Sequence, residues 1–143
     1  YIGVDVSRLP GGGAAGGIAA GAVAFLNAKI ESGVQMVMEA TGFFDKINKV
    51  DMVITGEGKM DRQTVEGKVV KGIADVSRKK NIPVAVLCGM VAGDKEIWRK
   101  MGIVHCLPLV REGVPVDKAM AQAAVLLEQR AFELAARIFQ PEK

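Results

Sequence analysis

The chain has 143 residues, half of them hydrophobic, so it can bury a core and fill one ordinary domain or pieces of two. Its net charge of +3 is scattered and forms no basic stripe interleaved with aromatics, which argues against a nucleic-acid partner. The longest apolar run, residues 14–26, is too short to span a bilayer and no signal peptide is visible, so no membrane partner is expected.

Residues 1–6 read as a strand that resembles the middle of an element, as in a piece of a longer protein. Residues 7–13 form a loop with Pro10 and three consecutive glycines. A small-residue helix follows from residue 14 to about 30. Gly13, Gly17 and Gly21 recur on one of its faces, where another backbone can approach closely. Each interior glycine costs a helix about 1 kcal/mol relative to alanine, so close packing or a ligand should compensate.

Residues 34–38 read as a strand, and residues 41–50 hold a short helix ending near Asn48. A second strand, residues 51–55, stops at a polar loop over residues 55–64. Helical periodicity resumes over 65–80, with Val69, Ile73 and Val76 as the apolar stripe. Pro83 opens a strand over 84–88, and a loop over 89–94 ends at Asp94, a helix cap. A short helix over 95–101 stops at Gly102, and a strand over 103–107 is closed by Pro108. A long helix runs from 117 to about 139 with Met120, Ala124, Leu127, Leu134 and Ile138 inward. This alternation argues for an α/β protein with a parallel sheet flanked by helices. The near-continuous apolar strands suit a sheet covered on both faces. The composition shifts near residues 48–51 from glycine and alanine to regular βα units, a candidate domain boundary.

Cys88 and Cys106 sit in apolar strands without metal-binding spacing, as reduced core cysteines in a cytoplasmic protein. His105, the only histidine, reads as a packed or strand-edge residue.

Two segments carry chemistry. Gly11, Gly13 and Gly16 satisfy GxGxxG, but Ser7 to Pro10 separate them from the strand that a dinucleotide fingerprint requires. What survives is a glycine-rich helix start, including Gly12, whose exposed N–H groups favour an anion. The second segment, Thr55-Gly56-Glu57-Gly58-Lys59-Met60-Asp61-Arg62-Gln63-Thr64, packs carboxylates, cations and hydroxyls where ligands gather in open parallel sheets. It is no Walker A loop. Carboxylates such as Glu57 and Asp61 can hold Mg²⁺ or accept a hydroxyl proton, and Lys59, Arg62 and Lys68 can neutralise phosphate.

With these segments in place, the chain resembles the C-terminal part of a bacterial-type glycerate kinase. The resemblance rests on residues 10–17 (PGGGAAGG), on Glu39-Ala40-Thr41-Gly42, on residues 55–64 followed by Gly67-Lys68, and on Gly89, in this order through essentially the whole chain. That family usually has alanine or serine where Gly12 stands. The resemblance implies ATP-dependent phosphorylation of glycerate with Mg²⁺ between two α/β domains. Residues 1–49 would end an inserted α/β domain. Residues 50–143 would be the C-terminal portion of a flavodoxin-like domain, whose first strand the N-terminal part of the same protein supplies. Asp61 and Lys59 are the implied catalytic residues, and Glu57 with Asp61 the metal ligands. Gly11, Gly12, Gly13, Gly16, Gly56, Gly58, Arg62, Thr64 and Lys68 would bind substrate or phosphate. Such a fragment is expected to be inactive alone, and an oligomer is compatible with it. The alternative is a non-catalytic flavodoxin-like module for a phosphorylated metabolite. That module requires a complete sheet within this chain, whereas a fragment leaves a strand edge unpaired.

Overall fold

The computed structural model describes residues 3–61, 64, 69–111 and 113–139 of the chain. It divides into two compact units, Tyr1–Ala40 and Thr41–Lys143.

The first unit holds helices α1 (Ala14–Leu26) and α2 (Gly33–Ala40). Residues 3–6 are not a strand. Regular helix in α1 begins only after Gly17, because Ala15, Gly16 and Gly17 are left-handed, with φ of 51°, 70° and 92°. The helix ends at Asn27, also left-handed, whose N–H donates to the Ala22 carbonyl. The strand expected over residues 34–38 is instead part of α2, which buries Met38 alone. The Gln35 side-chain amide bonds Glu39 one turn on. That i, i+4 pair favours the helix.

The second unit opens with α3 (Phe43–Lys46) and a 3₁₀ turn (Ile47–Lys49), matching the short helix read from sequence. It continues as β1 (Val53–Met60), α4 (Val69–Lys79), β2 (Val84–Val91), α5 (Lys95–Lys100), β3 (Ile103–Pro108), α6 (Val116–Ala121) and α7 (Ala123–Phe139). The three strands form a parallel sheet in the order β1-β2-β3. Alternate residues face opposite layers. Val84, Val86 and Cys88 join Val70 and Ala74 of α4 and Trp98 of α5 in one core cluster. Ala85 and Leu107 join Leu134 of α7 in the other. Both faces are therefore covered, which explains the unbroken apolar runs.

Three details depart from the sequence reading. The face that α4 buries is Val70, Ala74 and Ser77, one position on from the expected stripe, and Val69 is exposed. Alanine and serine let the helix lie close to the sheet. The long C-terminal helix is broken at Gln122, whose φ of −110° and ψ of 18° are not helical. Of its expected stripe, Leu134 is buried, while Met120 and Leu127 are exposed. Finally, both β1 and β2 run past their expected ends, so the polar segment after Ile54 is strand as far as Met60. Among the described residues β1 pairs with β2 alone, and Ile54 is 58% exposed. Among the described residues the sheet has no neighbour outside β1.

Candidate functional site

The C-terminal half of β1 carries the candidate chemistry. Glu57 pairs in register with Cys88, Lys59 with Met90 and Met60 with Val91. Past Met60 the chain turns at Asp61 and comes back through Thr64. The Thr64 N–H donates to the Asp61 carbonyl at 3.0 Å. The Asp61 N–H in return donates to Thr64 Oγ1 at 3.1 Å. The hydroxyl proton of Thr64 goes to Glu57 Oε1 at 2.6 Å. Thr64 is fully buried, so its hydroxyl bridges the strand carboxylate to the turn instead of facing solvent. Lys59 Nζ lies 3.3 Å from Asp61 Oδ2, with the lysine half exposed and the aspartate mostly shielded. Glu57, Lys59, Asp61 and Thr64 are thus brought together, and the first two project from a hydrogen-bonded strand. Arg62 and Lys68 lie outside the described residues.

Gly56 and Gly58 are strand residues, not loop residues. A Cβ on Gly56 would stand 2.7 Å from the Leu87 carbonyl oxygen, and one on Gly89 would stand 2.4 Å from that of Gly58. Both distances are far inside contact, so the close approach of β1 and β2 demands glycine there. Gly58 itself has open space where its Cβ would point. Beside it lies a cavity of about 250 Å³, lined by Gly58, Gly89, Leu109, Val110, Ala119 and Met120, with an almost wholly apolar wall. The chain after β3 is fastened there, as the Leu109 N–H donates to the Cys88 carbonyl (2.7 Å) and that of Val110 to the Gly89 carbonyl (2.9 Å). Asp94 caps α5 as read from sequence, accepting from the Glu96 N–H at 2.9 Å.

Sequence reading missed one cluster, centred on Glu133. Its carboxylate accepts from Arg111 (3.0 Å), from Arg137 (2.5 Å) and from Arg130. Arg130 is buried, and its Nε–H also holds the Pro108 carbonyl at 2.8 Å, tying the end of β3 to α7. The bonds from Arg130 and Arg137 hold the Glu133 carboxyl below the usual carboxylate range. The spacing of Arg130 and Arg137 around Glu133 was visible in sequence. The return of Arg111 was not, because it depends on the turn after β3.

In the first unit the glycine-rich segment folds into tight turns. The Gly12 N–H donates to the Leu9 carbonyl at 2.9 Å and that of Ala14 to the Gly11 carbonyl at 3.1 Å. Gly12 is buried, and a Cβ there would meet the Leu9 oxygen at 3.0 Å. Gly11, Gly13 and Gly16 are exposed. Ala15 adopts the left-handed conformation with no glycine to ease it, which costs roughly 1–2 kcal/mol.

The comparisons with known proteins agree with one another. The family model described as the glycerate kinase family matches residues 1–139. The chain belongs to the glycerate kinase family. It is 41% identical over 134 residues to the glycerate kinase of Halalkalibacterium halodurans, covering 94% of this chain and 35% of that protein. It is likewise 41% identical over 120 residues to the glycerate 2-kinase of Escherichia coli, covering 84% of this chain and 32% of that one. A crystal structure assigned to glycerate kinase 2 of Salmonella typhimurium LT2 superimposes with a TM-score of 0.69 at 31% identity, over 96% of this chain and 35% of its own. The chain therefore spans about a third of the length of the glycerate kinases it matches. The dinucleotide reading of the GxGxxG spacing gains no support from these relatives. Among the described residues no helix is long and apolar enough to cross a membrane.

Proposed function

We propose that this chain is the C-terminal part of a glycerate kinase that transfers the γ-phosphoryl group of ATP to a hydroxyl of glycerate. The observation that carries the reading is the Glu57–Thr64–Asp61 bridge at the C-terminal end of a parallel strand, with Lys59 paired to Asp61. Ligands of open α/β sheets bind at that end.

In this reading Asp61 accepts the glycerate hydroxyl proton or helps hold the metal, and Lys59 neutralises phosphate or the glycerate carboxylate. Mg²⁺ commonly takes one or two carboxylates along with substrate phosphates and waters. Glu57 and Asp61, joined through Thr64, offer such a pair. Among the described residues no group of three or more acidic, histidine or cysteine side chains is placed for a cation. Bound Mg²⁺ would offset phosphate charge. Thr64 acts by orienting both carboxylates. Gly58 leaves room beside the apolar cavity, which suits the adenine ring, while Gly56 lets the strands close. Arg62 and Lys68 are proposed as further phosphate contacts. The exposed Gly11, Gly13 and Gly16, beside buried Gly12, would cradle an anionic group on the inserted domain that residues 1–49 complete. The N-terminal part of the same protein would supply the missing strand beside β1, and without it the fragment would be inactive. The reduced thiols fit a cytoplasmic enzyme.

The test is glycerate-dependent ADP release by the full-length protein with Mg-ATP, compared with its Asp61→Asn variant. Strong activity lost by at least about 10²-fold in a folded variant supports Asp61 at the chemistry, since general acid–base groups contribute on this scale. Activity that survives removes Asp61 from that role. An inactive parent sinks the kinase reading.

A further inference from the structure

The free edge of β3 borders a second cavity, of about 370 Å³, whose wall includes Lys95, Trp98, Arg99, His105, Cys106 and Arg137. It belongs to neither the Glu57–Asp61 turn nor the apolar cavity beside Gly58. Three cationic side chains share this wall with a half-buried thiol. Arg99 is paired with Glu96 at 3.2 Å and Arg137 with Glu133 at 2.5 Å. Lys95 has no ion-pair partner among the described residues. Trp98 contributes a buried indole Nε1–H that lacks an acceptor. The cationic residues of this wall suit an incoming anionic group.

We propose that Cys106 is a modification site, at which a small anionic disulfide docks in this pocket and leaves half of itself on Cys106 as a mixed disulfide. The neighbouring thiol prepares it. Cys88 Sγ lies 3.9 Å from Cys106 Sγ on the adjacent strand. The hydrogen bond from Cys88 favours the Cys106 thiolate, against burial and the charge of Glu57, while the same contact and burial push the Cys88 thiol up. Cys88 is buried and Cys106 is the more exposed member of the pair, so Cys106 is the thiol a reagent can reach, and the thiolate is the reactive form. The two cysteines are offset along their strands, since Cys106 is in register with Val86 and Cys88 with Pro108. Their sulfurs stand well beyond the roughly 2.05 Å of a disulfide.

The step balances. The Cys106 thiolate attacks one sulfur of RS–SR, a new S–S bond forms as the old one breaks, and RS⁻ departs with the electron pair and takes a proton from water. No further oxidant is needed.

The experiment uses the full-length protein, reduced, with two disulfide probes of similar reactivity. One is the dianion 5,5′-dithiobis(2-nitrobenzoate), and the other is the neutral 2,2′-dithiodipyridine. Peptide mass spectrometry follows each cysteine. Cys106 should be modified well before Cys88, and glutathione disulfide should leave a glutathionyl adduct on Cys106. In a Lys95→Gln, Arg99→Gln double variant the dianion should react about tenfold more slowly and the neutral probe at an unchanged rate, the signature of electrostatic steering. Circular dichroism confirms that this surface variant is folded. An unreactive Cys106, prior modification of Cys88, an internal Cys88–Cys106 disulfide, or equal slowing of both probes would each overturn the proposal. None of these readouts depends on kinase activity.

Discussion

Replacing Thr64 with valine keeps the shape of the buried side chain and removes only its hydroxyl. That hydroxyl donates to the Glu57 carboxylate at 2.6 Å and accepts from the Asp61 N–H at 3.1 Å. A hydrogen bond to a charged group contributes about 1.5–3 kcal/mol and a neutral one about 1 kcal/mol, so Thr64→Val should cost roughly 2–4 kcal/mol. Thr64→Ser retains both bonds and loses one buried methyl, about 1 kcal/mol. In a large domain each kcal/mol shifts Tm by about 2–4 °C, which separates the two variants by several degrees. The kinetic contrast should be sharper. Without the bridge, Glu57 and Asp61 lose their mutual orientation, and misplacement of a reacting group by about 1 Å costs on the order of 10²-fold. Thermal unfolding of the full-length protein and glycerate-dependent ADP release, measured on both variants, check this. If valine matches serine in Tm and in kcat, the bridge does not hold the site and the reasoning fails.

Gly89→Ala, whose Cβ would stand 2.4 Å from the Gly58 oxygen, should cost at least about 1–3 kcal/mol in overpacking and lower Tm. Gly58→Ala meets no atom within 4 Å, so it should leave Tm nearly unchanged and raise KM for ATP by narrowing the adjacent cavity. Equal Tm values for the two alanine variants would contradict the strand geometry. Arg130→Met removes the charged donor on the Pro108 carbonyl and should destabilise by about 1.5–3 kcal/mol in denaturant unfolding. The Glu133 carboxyl, lowered in the fold from an ordinary value of 4.5, stabilises fully above that pH and loses its contribution as pH falls toward the folded value. Glu133→Gln should therefore flatten the acid limb of a stability profile below about pH 4.5, and an unchanged limb would count against the cluster.

Most of the βα alternation was legible because its signals are local. Gly102 and Pro83 punctuate the chain, Asp94 caps α5, and β2 is a plain apolar run. The errors share one cause, which is tertiary context overriding local composition. Residues 56–60 look like a loop because two glycines and two charges interrupt the apolar run. They are strand because β2 approaches so closely that glycine is needed at 56 and 89. Residues 34–38 look like a strand because Val34, Met36 and Met38 alternate, yet α2 claims them. The stripe on α4 was displaced by one position because Ala74 and Ser77, though small or polar, are the residues that fit against the sheet.

The misread segment changes what the site is. Had Glu57 and Lys59 belonged to a free loop, their geometry would depend on a ligand to order it. As ladder residues they are fixed by backbone pairing to Cys88 and Met90, and only the turn at Asp61 remains to be set. Sites on strands are held more exactly than sites on loops. Thr64 then completes the arrangement by binding the turn back to the strand carboxylate. Here the two glycines serve close strand packing and access to the cavity, the carboxylates are aligned by one buried hydroxyl, and Lys59 supplies the positive charge. Among the described residues the strand bearing these groups has no partner on its outer side. On the proposed reading, a strand edge that also carries the candidate chemistry is where the N-terminal part of the same protein would complete the sheet.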